Sequence, residues 1–139
     1  MLIQSTSKSM SGSLSDLLSK QPQSNIIIFK LNLENVIEDQ TLITRAAKIC
    51  CALDVPYRLL LNSVFCDYSR LIAFVTAPSS LNGHHAEVNG NFRHTIEVVE
   101  QLIQFCATRP YINKNLAVLT ALLHDSGKAV DYQTKFGRV

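Results

Sequence analysis

The four histidines of this 139-residue chain, His84, His85, His94 and His124, all fall within its last 56 residues. Imidazoles can ligate a metal, carry protons or simply pack. The stretch ALLHDSGK, residues 121–128, ends an apolar run in adjacent His124 and Asp125, followed by Gly127 and Lys128. Two readings of it stand side by side. In the first it is a helix end, with His124 turned to the last carbonyls, Gly127 as the stop and Lys128 complementing the helix C-terminus. In the second, His124 and Asp125 are half of a metal site. Imidazole and carboxylate together suit Mn²⁺, Fe²⁺, Ni²⁺, Co²⁺ or Zn²⁺, and Mg²⁺ less well because of the histidines. A left-handed turn at Gly127 would then carry Lys128 back over the site, where its ammonium could neutralise a phosphate.

Such a site needs elements that bring its donors together. In NLAVLTALLHD, Ala117, Ala121 and His124 share one helix face at i, i+4 and i+7. Two alanines there let a second helix approach closely, as bonds of about 2.0–2.3 Å to one ion require. Asp125 diverges from His124 by about 100° on a regular helix, but at a helix end the two side chains can still converge. In NFRHTIEVVEQLIQFC, Phe92, Ile96, Val99, Ile103 and Cys106 form a core stripe, and Glu97, Glu100, Gln101 and Gln104 a solvated side. His94 leads into a neighbouring apolar line and is expected to face inward near the helix start.

Upstream, Leu42, Ala46, Ile49 and Leu53 predict a helix, Pro56 opens a second, and a short third covers Tyr68–Val75. TAPSSLNGHHAEVNGN reads as a long loop. Helices are expected over Asn91–Thr108 and Asn115–Asp125. Alternation of Phe29, Leu31 and Leu33 with Lys30, Asn32 and Glu34 predicts one short strand near residues 26–33. Residues 1–24, with serine at eight positions, read as a flexible arm that cannot bury enough apolar surface to offset its ordering entropy. The fold class expected is mainly α: a helical bundle over residues 25–139.

HTIEVV at 94–99 and ALLHDSGK, with thirty residues from His94 to His124, resemble the opening half of the HD superfamily of metal-dependent phosphohydrolases. The stretch APSSLNGHHAEVNGNFRHTIEV extends the resemblance to two branches. These are the 3′→5′ exoribonucleases of the YhaM type and the HD-type relaxase (TraI-like) proteins of conjugative elements. The similarity spans roughly Val55 to Tyr132. It implies an HD-like bundle in which His94 is the first metal ligand and His124 and Asp125 are the paired ligands. It also implies a role at the site mouth for His84 and His85, contacting phosphate or aligning water, with Lys128 balancing phosphate charge.

The chain departs from that pattern twice. Gly90-Asn91-Phe92-Arg93 replaces Gly-Gly-Leu-Leu, and no acid stands far enough downstream to be the family's distal Asp, Asp131 being only six residues beyond Asp125. The HD-like domain is therefore expected to be partial. A fragment of a longer protein, a degenerate gene product and a site completed by another subunit all fit, and the fragment reading is preferred.

A net charge of +2 lacks the basic footprint of a dedicated nucleic-acid binder, although Arg109–Val139 carries five basic residues against two acidic. An apolar fraction of 47% against 17% charged belongs to a globular chain. Cys50, Cys51, Cys66 and Cys106 form no C-x-x-C pair, so they read as buried free thiols in a reducing, cytoplasmic setting. No apolar run approaches the length of a membrane span, and no signal peptide is expected. The resemblance implies hydrolysis of phosphodiester bonds in nucleic acid, with a nucleic acid or nucleotide phosphate ester as partner. A non-catalytic HD module, serving as an adaptor in a conjugation or RNA-processing assembly, is the alternative.

Overall fold

A computed structural model of the chain describes residues 33 and 35–129. The Ser-rich arm, the strand expected near 26–33 apart from its last residue, and Asp131 lie outside the described residues. At Leu33 the backbone is turned rather than extended. Its carbonyl accepts from the N–H groups of Val36 and Ile37 at 2.9 and 3.0 Å, and its side chain is fully buried. The alternating pattern therefore does not continue as a strand through Leu33.

Five helices follow, and no strand occurs among the described residues: α1 Gln40–Ala52, α2 Val55–Val64, α3 Tyr68–Thr76, α4 Gly90–Ala107 and α5 Lys114–Leu123. The protein is a mainly α bundle, as the periodicity predicts. Four of the five helix starts are written in the sequence, α4 being the exception. Asp39 caps α1 through its carboxylate to the N–H groups of Thr41 and Leu42, both at 3.1 Å, and Asp67 caps α3 through Ser69 and Arg70. Asn113 accepts from Leu116 at the head of α5. Pro56 occupies the first turn of α2, where a missing N–H costs nothing. Asp54, the residue before α2, spends its side chain differently. Its backbone N–H and carboxylate both bond the Asn115 amide, at 2.8 and 2.9 Å, which ties the start of α2 to that of α5.

One core unites these helices. Leu42, Ala46, Ile49 and Leu53 of the first segment are all buried, as their spacing requires. Phe65, Phe74 and Phe92 form its centre, with ring centroids 4.8 Å apart for the first pair and 6.2 Å, edge to face, for the second. Phe92 brings the head of α4 into this cluster. Asn91 beside it donates its side-chain amide to the Phe74 carbonyl at 3.2 Å and its backbone N–H to Ala77 at 2.9 Å. The start of α4 is thereby clamped to the end of α3, and His94 stands one turn further on. Helix α5 lies along α4, the most extensive helix pairing in the bundle. Ala121 is buried and Ala117 partly buried, in keeping with the close approach expected on that face. No single helix among the described residues is long and apolar enough to cross a membrane.

Candidate metal centre

Three groups from two helices converge. His94 on α4, His124 just past the end of α5 and Asp125 beside it each offer one ligand atom, and these atoms all lie within 4.8 Å of one another. Asp125 Oδ2 is 3.2 Å from His124 Nε2 and 3.9 Å from His94 Nε2, and the two imidazole centroids are 5.7 Å apart. Two donors on one ion at about 2.0–2.2 Å cannot be more than about 4.4 Å apart. The cluster is therefore within a few tenths of an ångström of closing on a cation. The residues fit a divalent metal by chemistry, and the small adjustment falls on side chains about one-third exposed.

Local backbone explains the convergence. Helix α5 ends at Leu123, and tight i→i+3 bonds follow, with Ser126 N–H on Leu123 O at 3.0 Å and Lys128 N–H on Asp125 O at 3.1 Å. That tightening swings Asp125 to the His124 side. Helix α5 thus ends two residues earlier than the periodicity predicts, and Gly127 takes no left-handed conformation. Nothing lies within 4 Å of where its Cβ would stand. The return of Lys128 comes from the tight turn, not from a glycine. The His124 ring is oriented by its other nitrogen: Nδ1 lies 2.6 Å from the Ala121 carbonyl oxygen, which directs Nε2 toward Asp125. The carbonyl contact of the helix-end reading and the donor role of the metal reading thus coexist on one ring. Burial lowers the His94 pKa from its ordinary value, partly opposed by the Asp125 charge, so that imidazole is held neutral, the form that binds metal.

Lys128 folds back as expected. Its ammonium donates to Asp125 Oδ2 at 2.7 Å and to the Ser79 carbonyl at 2.9 Å. It sits over the cluster and bridges it to the 77–89 loop. His85 comes from that loop: its ring centroid is 6.1 Å from that of His94, and Nε2 bonds Glu97 Oε2 at 2.8 Å, with Glu87 at 3.4 Å on Nδ1. His84 is not brought in. It is exposed, and its recorded hydrogen bond is through its carbonyl, which accepts from Ser80 Oγ at 3.0 Å. Adjacent loop residues diverge because His85 adopts a left-handed backbone, φ 59°, which aims its ring inward and leaves the ring of its neighbour outside.

The loop is held by backbone contact. Ser79 N–H donates to the His85 carbonyl at 2.8 Å, and Asn89, also left-handed at φ 66°, donates its amide to Val75 O at 3.0 Å. A Cβ on Gly90 would lie 1.9 Å from the His85 carbonyl oxygen, so only glycine fits there. Replacement of the second Gly by Asn91 and the presence of Arg93 do not spoil the head of α4. Arg93 turns away from the cluster to Asp39 at 3.2 Å.

Two sequence readings need correction. Glu97 and Glu100 are not simply solvated: Glu97 orients His85, and Glu100 pairs with Arg45 at 2.6 Å across α1 and α4. Glu97 lies three residues after His94 on one helix face, a spacing that could have flagged it. Cys51 and Cys66 are exposed rather than core, whereas Cys50 and Cys106 are buried. Comparison of the chain with protein-family models, with curated proteins and with solved structures returned no match.

Proposed function

We propose that the chain carries the metal-binding half of an HD-type phosphohydrolase, acting on phosphodiester bonds of nucleic acid in the manner of a 3′→5′ exonuclease. The observation that carries the reading is the convergence of His94, His124 and Asp125 from two helices, the same three residues the motif resemblance picks out. A divalent cation held there would polarise a phosphoryl oxygen and make water a better nucleophile. The rest of the chemistry belongs to the chain. Lys128, already over the cluster, supplies positive charge for the equatorial oxygens of the phosphate as it is attacked. Asp125, besides ligating, accepts a hydrogen bond from water and orients it. His85, its Nε2 fixed by Glu97, stands beside the same mouth and would donate to phosphate through Nδ1 by giving up its 3.4 Å contact with Glu87. Manganese, iron, nickel, cobalt and zinc are the ions such a donor set accepts.

The non-catalytic module is the second reading, and one observation favours it. The Lys128 ammonium already neutralises Asp125, so the carboxylate has a cation without any metal. The two readings part in one experiment. Purified chain with Mn²⁺ is assayed on bis(p-nitrophenyl) phosphate and on a 5′-labelled single-stranded oligonucleotide. The hydrolase reading expects metal-dependent turnover, shortening from the 3′ end, and loss of about two orders of magnitude or more in Asp125→Ala. Stoichiometric metal binding without turnover supports the module. Neither metal binding nor turnover overturns the hydrolase.

A further inference from the structure

We propose that a second site, a cleft between α1, α4 and the head of α5, binds a small amphiphilic monoanion. The cleft has a volume of about 420 Å³, within the range of about 300–1,000 Å³ usual for small-molecule sites. Ile49, Leu53, Ile103 and Val118 supply an apolar floor, and Arg45, Lys48, Glu100 and Lys114 stand around it. Apolar walls with a few charged groups are the form such sites take.

The charges on this rim are not balanced. Arg45 is committed to Glu100 through two hydrogen bonds of 2.8 and 2.6 Å. The Asn115 amide is committed to Asp54. Lys48 and Lys114 are exposed, and among the described residues no carboxylate pairs with either. Once the Arg45–Glu100 pair is set aside, the cleft presents two ammonium groups over hydrocarbon. That combination selects an anionic head with an apolar body. A neutral apolar molecule would leave the lysines unused, and a cation would be repelled. The occupant is a free molecule rather than a membrane surface, because the apolar part is a recess and not a projecting ridge. The cleft shares α4 and α5 with the metal centre but none of its residues, so it stands or falls independently of the hydrolase reading.

Decanoate is the probe, with decanol and decylamine as matched neutral and cationic chains. Displacement of 1-anilinonaphthalene-8-sulfonate from the full chain is followed by fluorescence, and decanoate binding is measured directly by calorimetry. Decanoate is expected to bind at least ten-fold more tightly than decanol, and decylamine not to compete. Lys48→Gln with Lys114→Gln should weaken decanoate at least ten-fold, and Lys48→Arg with Lys114→Arg should keep it. Ala52→Trp, at an exposed position on the cleft wall, should block the recess and abolish binding while circular dichroism and metal content stay unchanged. A parallel series, Ile103→Met, keeps the volume and should keep binding. Equal affinity for decanoate and decanol, insensitivity to the lysine pair, or no binding at millimolar decanoate overturns the proposal. So does a dimer in sedimentation that Ala52→Trp dissociates, which would assign the cleft to a second copy of the chain. Binding to phosphatidylglycerol vesicles without binding of monomeric decanoate overturns it in favour of a membrane surface.

Discussion

Gly90→Ala tests how the 77–89 loop is held to the bundle. The added Cβ would lie 1.9 Å from the His85 carbonyl oxygen and 2.7 Å from its carbon, while real Cβ contacts do not fall below 3.0 Å. The loop must retreat by roughly 1 Å, and backbone rather than a flexible side chain has to move. Two costs follow. Overpacking at a buried position is worth about 1–3 kcal/mol, and stretching the Ser79–His85 backbone bond about 1 kcal/mol more. Replacing Gly by Ala in a helix returns at most about 1 kcal/mol. The net loss is about 1–3 kcal/mol, a fall in Tm of roughly 4–15 °C for a domain of this size. Gly127→Ala is the contrast, because open space surrounds its Cβ and its φ is ordinary. It should leave Tm unchanged or raise it by a few degrees. Thermal unfolding followed at 222 nm reads both. If Gly90→Ala melts within 1 °C of the native chain, or Gly127→Ala is the more damaging, the described contact between loop and helix is wrong.

Other outcomes are equally specific. Native protein treated with Ellman's reagent should release two fast equivalents, from exposed Cys51 and Cys66. Cys50, whose thiol burial pushes up to about 12, should react only in denaturant, together with Cys106. Because the His94 pKa is lowered in the folded chain, the unfolded state takes up a proton first as pH falls below about 6.5. Stability is therefore complete above that pH and declines through the window beneath it, and His94→Gln should flatten the decline in denaturant midpoints between pH 7 and 5. Glu100→Gln removes an ion pair whose members are more than one-third exposed, so the loss should stay below about 1 kcal/mol and shrink in 0.5 M salt. Lys128→Met should preserve metal binding but lower any phosphodiesterase kcat by about 10²-fold, the usual cost of one charge-stabilising donor.

The helices were legible because all carry an apolar stripe and all but α4 begin with a local signal. Asp39, Asp67 and Asn113 cap, Pro56 opens a turn, and Leu42, Ala46, Ile49 and Leu53 mark the buried face. Residue types and spacing marked His124 and Asp125 as a possible half-site on a face open to close approach and turned His94 inward, whereas only the family resemblance joined the three as one ligand set. What tightens the end of α5 was not legible. Gly127 suggested a left-handed stop, yet the bonds at Ser126 and Lys128 make a tight turn that no single residue type announces. His84 and His85 were indistinguishable as neighbours in a loop. Only the backbone at His85, fixed by Ser79 six residues before it and Gly90 five residues after it, decides which ring enters. Long-range ion pairs such as Arg45–Glu100 are likewise set by how α1 crosses α4, which periodicity alone does not give.

The central claim is that His94, His124 and Asp125 hold one divalent ion. Isothermal titration of the metal-free chain with Mn²⁺ and Co²⁺, repeated on His94→Ala and His124→Ala, tests it most directly. One ion per chain is expected, with affinity at least ten-fold weaker in each variant and unchanged in His84→Ala. Absence of binding in the native chain, or equal binding in all three variants, would contradict the claim.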